Sequence, residues 1–398
     1  MAAIITNLKL QNWKSFADAE LFLDPLTFLI GTNASGKSNI LDALDFLRKL
    51  AMGIQLKDIV PSVRGGEEWV IRKGERECLL TVEIDDSDYR YAYSIRVGRS
   101  KGDFVILGEK LTRRWRDSAP KDLFYTATDA LSDTPTIATR FYTAKRGSAR
   151  RMDLSRASAV ISQVEILPIL KEVKDSARQV TEALKHIFIL NPQPSLMRNF
   201  SKLSDRIAPD GSNIAGVLAG MPIEQKEDVE EQLTKYVKPL PERDIDKVWS
   251  ECVGRYKTDA MLYCDESWTD GEPLHLDARG MSDGTLRFIA IVTALLTIEE
   301  HSLLVIEEVD NGLHPSRSVE LVKMLRELGL SRQVDVLCTT HNPVLLDALG
   351  NTMLPFISFV KRDSQGNSEV NLVENLPNLA KMMASNSLGG LMVNDLMK

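Results

Sequence analysis

The spacing of apolar positions divides this chain into stretches of different period. Residues 3–11 (AIITNLKLQ) alternate apolar and polar side chains, which predicts a strand, and Ala19 to Leu23 reads as a second. Leu26-Thr27-Phe28-Leu29-Ile30 is an apolar run of the kind found in strands buried on both faces. Asn39 to Leu50 then takes helical spacing, with Ile40, Leu44 and Leu47 on one face and Leu41 and Leu50 flanking it. From about Trp69 to Trp115 a two-residue period returns. Glu77 to Ile84, Tyr89 to Val97 and Phe104 to Leu111 are predicted strands of an antiparallel sheet, with hairpin turns at Asp85 to Asp88 and Arg99 to Asp103. Residues 117–150 are polar and irregular and read as loops. Ala159 to Leu190 has helical periodicity with a break at Pro168, and Pro192 and Pro194 end it. Residues 196–266 read as short helices. Two of these are Ile223 to Val237 and Glu242 to Tyr256, separated by Lys238-Pro239-Leu240-Pro241, and no heptad run is long enough for an extended coiled coil. Alternating helix and strand resumes near Arg279 and continues to about residue 361.

Composition changes this picture little. A chain of 398 residues with 43% hydrophobic and 26% charged residues has the balance of a soluble globular protein with a large core. No apolar run approaches the roughly 18 residues of a membrane helix, and the N-terminus lacks the apolar core of a signal peptide. A cytoplasmic protein without a membrane partner is therefore expected. Cys78, Cys252, Cys264 and Cys338 form no C-x-x-C pair and read as reduced thiols. The net charge of −7 gives no global argument for coating nucleic acid. Two local basic clusters stand out: Arg113, Arg114 and Arg116 around Trp115, and Lys145, Arg146, Arg150, Arg151 and Arg156. They fit either solvated strand edges or a contact with nucleic acid or an acidic partner.

The candidate chemistry lies at the ends of the predicted strands. Gly31-Thr32-Asn33-Ala34-Ser35-Gly36-Lys37-Ser38 fits G-x-x-x-x-G-K-[ST] between a strand and a helix, the context a phosphate-binding loop requires. Its glycines let backbone N–H groups approach phosphate oxygens, Lys37 brings a point charge, and Ser38 offers a hydroxyl to Mg²⁺. Leu303 to Ile306 is an apolar strand leading into Glu307 and Glu308. A nucleotide hydrolase needs one acid in the Mg²⁺ shell, here assigned to Glu307, and one to polarise water, assigned to Glu308. Val336 to Thr340 is a further strand, ending at His341, which is placed to touch the γ-phosphate or the attacking water. Gly280-Met281-Ser282-Asp283-Gly284-Thr285 precedes the apolar helix Leu286 to Ile298. It reads either as a helix cap or as a second anion site for a nucleotide held by another copy.

Together these residues resemble the ABC-type ATPase heads of the RecF and SMC group, and within it the short AAA-type ATPases related to the OLD proteins, such as those of the anti-phage systems Septu and PARIS. The resemblance covers roughly residues 1–55 and 270–350. It runs through the opening Leu8 to Phe16, a Walker A at Gly31 to Asn39 and a signature at Met281 to Arg287. A Walker B and D-loop at Ile306 to Pro315 and a switch histidine at Thr339 to Pro343 complete it. It implies an α/β P-loop NTPase head of ABC type with an antiparallel β lobe and a compact helical insertion. Its parts would be an N-terminal half (1–160), the insertion (161–268) and a C-terminal half (269–398).

By resemblance, ATP and Mg²⁺ would be held by Asn33, Ala34, Ser35, Gly36, Lys37, Ser38 and Asn39. Ser38 and Glu307 would serve the metal, and Glu308 and His341 the catalysis. Ser282, Asp283 and Gly284 would reach the nucleotide of a second copy in a head-to-tail dimer, with Asn311 to His314 across the interface. Several residues depart from the family pattern: Thr32 and Ala34 stand where proline and glycine are frequent, Val309 where proline is, and Glu307 replaces aspartate, which implies slow hydrolysis. Gln163 is the candidate Q-loop glutamine, with Gln179 left open. Only 57 residues follow His341 (398 minus 341), too few for the Toprim nuclease of full-length OLD proteins.

Three functions are compatible with this reading. One is a dimeric or higher-order ATPase that controls a separate effector, a nuclease or toxin, in anti-phage defence. Another is a RecF-like DNA-binding ATPase of repair or chromosome maintenance. The third is a nucleotide-binding scaffold without useful turnover.

Overall fold

The structure, a computed structural model, describes residues 3–116, 118–126, 134–145, 148–240, 245–267 and 273–393. Its contacts group into two units, one formed by Met1–Asp24, Leu29–Ile187 and Ser358–Leu372, the other by Pro25–Phe28, Phe188–Ile357 and Val373–Lys398. The strand Leu26–Ile30 runs from the second unit into the first.

The first unit is built on an antiparallel ribbon. Ile4–Trp13 pairs with Phe16–Phe22 on one side and with Glu77–Asp85 on the other, and Tyr89–Ser100 and Asp103–Trp115 follow in order. In Glu77–Asp85 the side chains of Cys78, Leu80, Val82 and Ile84 are buried, so the predicted alternation is real. Register lines up one row across the ribbon: Leu21, Leu8, Val82, Tyr93, Leu111, Phe124 and Phe141, all buried. That row belongs to the core. The helix Lys37–Ala51 buries Ile40, Leu41, Leu44, Leu47 and Leu50 and packs on the helix Lys171–Lys185.

The row extends past the expected sheet. Residues 117–150, read as loops, contain the strands Lys121–Thr126 and Thr136–Tyr142, and Ala149–Ser155 follows. The buried positions of Thr136–Tyr142 are Ile137, Thr139 and Phe141, and the polar Thr139 hides the alternation. The helical stretch expected over 159–190 breaks at Pro168 as the sequence predicts, and its end is corrected. It comprises Val160–Gln163, a 3₁₀ turn Val164–Ile166 and Lys171–Lys185, and Ile187–Leu190 is a strand. Four consecutive apolar residues have no polar face to offer a surface helix.

Inside the first unit lies Glu109, 3% exposed. Its carboxylate accepts the backbone N–H groups of Val160 and Ile161 (2.5 and 2.7 Å) and the Tyr93 hydroxyl (3.0 Å). It thereby caps a helix start that lacks a side-chain cap of its own. Burial raises its pKa from 4.5 to about 7 despite these donors. Between those values the folded chain keeps a proton that the unfolded chain releases. Stability present below pH 4.5 is therefore lost as pH rises to about 7. At about 1.4 kcal/mol per pH unit the loss is about 3 kcal/mol. Denaturant unfolding across this window is expected to show that fall, and Glu109→Gln to remove the slope. An unchanged slope in the variant would assign it to other groups.

The second unit holds the parallel pair Leu303–Ile306 and Asp335–Thr340, with Leu304 opposite Val336 and Ile306 opposite Cys338. Both strands are buried throughout except at Asp335, which is half-buried, as parallel strands covered on both faces require. The helices Asp283–Thr297 and Ser318–Arg332 pack together beside them. A separate antiparallel sheet joins Ser201–Lys202, Asp259–Glu266 and Ile245–Val253, with Leu274–Asp277 also on Asp259–Glu266. The helices Ile214–Gly220 and Ile223–Val237 cover it.

The helix expected at Glu242 to Tyr256 is therefore a strand over its described part. A register shift between Ile245 and Lys247 spaces the buried Ile245 and Val248 three residues apart, which imitates a helical period. Among the described residues no helix is long and apolar enough to cross a membrane. All four cysteines are reduced. Cys78, Cys264 and Cys338 are buried, and burial pushes the Cys78 thiol up to about 12.

Candidate functional site

In the first unit the loop after Leu26–Ile30 leads into the helix Lys37–Ala51. Three of its residues hold positive φ: Gly31 (151°), Ala34 (62°) and Gly36 (124°). A Cβ on Gly31 would lie 2.3 Å from the Val360 carbonyl oxygen, and one on Gly36 would lie 2.5 Å from Ser368 Oγ. Both glycines are thus fixed by space as well as by conformation.

Lys37 is 8% exposed, and its ammonium donates to the carbonyls of Gly31 (2.7 Å) and Thr32 (3.0 Å), curling back over the loop. The Ser35 hydroxyl is buried within the loop and has no hydrogen-bond partner among the described residues. Gly36 gives the helix no side-chain cap, the Asn39 N–H donates to the Gly36 carbonyl (3.0 Å), and the loop thus ends on a helix N-terminus, a place where anions bind. Asn33 and Ala34 are exposed, and Ser38 is half-buried. Asn39 is turned away from the loop mouth: its amide donates to Ser15 Oγ (2.8 Å), and its carbonyl accepts from the Trp13 indole (2.8 Å).

In the second unit the strand Leu303–Ile306 delivers Glu307 and Glu308 into a turn. The Glu307 N–H donates to the Leu190 carbonyl. Glu308 takes φ 48°, and its N–H donates to Thr339 Oγ1 (2.8 Å). Its carboxylate accepts from Asn311 Nδ2 (3.2 Å) and lies 3.9 Å from His341 Nδ1. Glu308 and His341 are each more than 40% exposed. A carboxylate that is oriented by one donor, near an imidazole and open to solvent can accept a proton from water. Behind it, Thr340 Oγ1 donates to the buried Asp310 (2.6 Å).

Ser282 is exposed and caps the helix Asp283–Thr297 by accepting the Thr285 N–H (3.1 Å). Asp283 is occupied by Arg198, which pairs with its carboxylate (2.7 Å) and also donates to the Met281 carbonyl (2.9 Å). Gly284 is buried, and a Cβ there would meet the Gly312 carbonyl at 2.6 Å, so the signature and the following turn pack closely. Burial depresses the Arg287 guanidinium against the opposing pull of Asp283 and Glu308.

Other sequence candidates make contacts within the fold. The Gln163 amide donates to the carbonyls of Ser155, Ser158 and Ala159, while Gln179 is exposed on Lys171–Lys185. The second basic cluster is dispersed. Arg156 is buried and bonds to the carbonyls of Thr136 and Ile106, Arg150 bonds to the Pro168 carbonyl, and Arg146 lies outside the described residues. In the first cluster Arg113 pairs with Glu172 and stacks on Tyr89.

Sequence reasoning placed Ser15, Thr339 and Asn311 in motifs without foreseeing their contacts here, and missed Arg362 and Ser368. The last two belong to a hairpin, Ile357–Arg362 with Ser368–Leu372, that no motif marked.

Known proteins share parts of this pattern. The DNA replication and repair protein RecF of a Nocardioides species is 35% identical over 103 residues, 24% of this chain and 23% of that protein. RecF of Streptomyces avermitilis is 33% identical over 102 residues, 24% of this chain and 26% of that protein. The match thus spans about a quarter of the length of these relatives. An Smc head bound to the C-winged helix domain of ScpA superposes with a TM-score of 0.51 at 13% identity, covering 92% of this chain and 97% of that one. An Smc head domain with an extended coiled coil, bound to the C-terminal domain of ScpA derived from Pyrococcus furiosus, gives 0.51 at 12% identity with 100% of both chains covered. The fold is therefore that of an ABC-type P-loop head. Residues 26–347, most of the chain, match the family described as "AAA domain, putative AbiEii toxin, Type IV TA system", and the protein belongs to that family of ATPases.

Proposed function

We propose that this chain binds and hydrolyses ATP as a head-to-tail homodimer or higher homo-oligomer in the cytoplasm. Through that cycle it regulates or loads a separate effector, a nuclease or toxin, in anti-phage defence. On this reading it is one of the OLD-related short ATPases, with the segment 161–268 inserted between the two halves of its head. The observation that carries the reading is Glu308: a half-exposed carboxylate at a strand end, oriented by Asn311 and near His341. The family's description, which names a putative toxin and a type IV toxin–antitoxin system, is in keeping with a defence role.

The residues fit a triphosphate. The buried Ser35 hydroxyl lacks a partner among the described residues, Lys37 already lies over the loop, and the loop leads into a helix N-terminus without a side-chain cap. They also fit Mg²⁺ better than zinc. Among the described residues no group of three His, Cys, Asp or Glu is gathered for a metal. Mg²⁺ needs only Ser38, one carboxylate such as Glu307, phosphate oxygens and water. When bound, the ion neutralises charge on the phosphates. Lys37 and the loop N–H groups bind and orient the nucleotide, Glu308 takes a proton from the attacking water, and His341 stands by as a donor. Ser282 and the start of its helix are offered to the partner copy's phosphates, with Arg198 holding Asp283 aside. Magnesium-dependent release of phosphate from ATP is expected, with Lys37→Ala lowering it at least about 10²-fold. Equal turnover in the variant would remove the assignment.

A second reading, a RecF-like DNA-binding ATPase, is favoured by one feature of the outer strands. Arg90 stands directly opposite Arg114, and Arg140 opposite Arg151. Like charges so placed repel unless an anion joins them; Asp85 pairs with Arg90 and Asp153 with Arg151, so a nucleic-acid phosphate would add to one carboxylate at each pair. Steep weakening of DNA binding with salt would favour this reading over the first.

A further inference from the structure

The hairpin of Ile357–Arg362 and Ser368–Leu372 touches the phosphate-binding loop at every residue where the loop's backbone is unusual. The Val360 carbonyl lies against Gly31, and Ser368 lies against Gly36. Between them, Arg362 Nε donates to the Ala34 carbonyl (3.1 Å), and Ser368 Oγ donates to the Ser35 carbonyl. Two successive carbonyls are thus held by side chains of one hairpin.

A trans peptide sets its C=O and N–H on opposite sides. Holding the Ala34 and Ser35 oxygens against the hairpin therefore aims the N–H groups of Ser35 and Gly36 the other way, into the loop, where the Ser35 N–H rests on the Thr32 carbonyl (3.3 Å). Ala34 needs such help. An alanine in the left-handed region is disfavoured roughly tenfold relative to its ordinary conformations, and glycine would not be.

The hairpin is itself braced. Arg362 Nη1 donates to the Gly366 carbonyl (2.5 Å). The Asp363 carboxylate accepts the N–H groups of Gln365 and Asn367 (2.8 Å each) and the Asn367 amide. Asn367 Oδ1 accepts from Arg72 (2.6 Å), and Ser15 Oγ meets Ser368 Oγ at 2.8 Å. Ser368 also pairs in parallel with Phe16.

We infer that Arg362 is a positioning residue for nucleotide binding. With Ser368 it holds the loop carbonyls outward, so that the loop's N–H groups are preset for phosphate although Ala34 occupies a glycine-type position. This rests on the nucleotide reading above.

The test is titration of the full chain with a fluorescent ATP analogue, alongside melting without nucleotide. Arg362→Ala is expected to bind roughly tenfold more weakly while its nucleotide-free melting stays unchanged, because Arg362 is exposed. Ala34→Gly in the same chain is expected to restore most of the loss, since glycine takes the conformation unaided. Wild-type affinity in Arg362→Ala, or no recovery with Ala34→Gly, would overturn the inference alone. A wild-type chain that binds no analogue would overturn the nucleotide reading and this inference with it.

Discussion

Glu308→Gln is expected to lower ATP turnover by about 10²- to 10⁴-fold while leaving nucleotide binding intact. The amide matches the carboxylate in size and keeps an oxygen for Asn311 Nδ2, so the turn that holds the residue is preserved. The backbone bond from the Glu308 N–H to Thr339 Oγ1 is untouched, and the φ of 48° is no harder for glutamine than for glutamate. What disappears is the basic oxygen, and with it the acceptor for a proton leaving water. The His341 nitrogen, 3.9 Å away, is outside hydrogen-bond range of the carboxylate, and the proposed mechanism assigns the proton to Glu308 alone. If turnover is what separates two closed copies, the variant accumulates as dimers in ATP, and sizing with and without nucleotide reads this directly. Hydrolysis at the wild-type rate in Glu308→Gln would move the base to another residue, and dimers absent in both chains would remove the partner-completed site.

The parts of the fold legible in the sequence are those where one local signal suffices. The loop Gly31 to Ser38 lies between an apolar strand and a helix of clear period, and the structure has both. Ser282 could be read as a cap because serine before a helix has few other uses, and it does cap the helix. Other parts depend on contacts that no window contains. Arg362 and Ala34 are 328 positions apart, and Ser368 and Ser35 are 333 apart. An arginine and a serine in a short hairpin carry no pattern that names those carbonyls as their targets.

Two further misreadings came from polar or shifted positions in otherwise regular strands. Thr139 is fully buried on the same strand as Phe141, two positions before it, and a hydroxyl there reads as surface. The bulge after Ile245 spaced two core residues as a helix would. In the site itself, the Asp283 carboxylate pairs with Arg198, 85 residues earlier (283 minus 198), a contact that no local window contains.

Gly31→Ala is expected to be the most damaging single change in the loop. Its cost has two parts. At φ 151° an L-residue is strained by about 1–3 kcal/mol. The added methyl carbon would sit 2.3 Å from the Val360 carbonyl oxygen, which is backbone and belongs to a paired strand, and 2.9 Å from Ser35 Oγ. The serine can turn, but the carbonyl cannot move without displacing the hairpin that also holds Ala34 and Ser35. Overpacking of this kind adds about 1–3 kcal/mol. Gly36→Ala is milder, because its nearest neighbour is the Ser368 side chain, although the φ of 124° is also strained. Binding of a fluorescent ATP analogue is therefore expected to fall at least about 10²-fold in Gly31→Ala, with a melting temperature lower by several degrees, and to fall less in Gly36→Ala. The order of the two variants matters more than either value. If Gly36→Ala is the worse, the loop leans on Ser368 rather than on the Val360 backbone, and the support assigned to that strand is wrong.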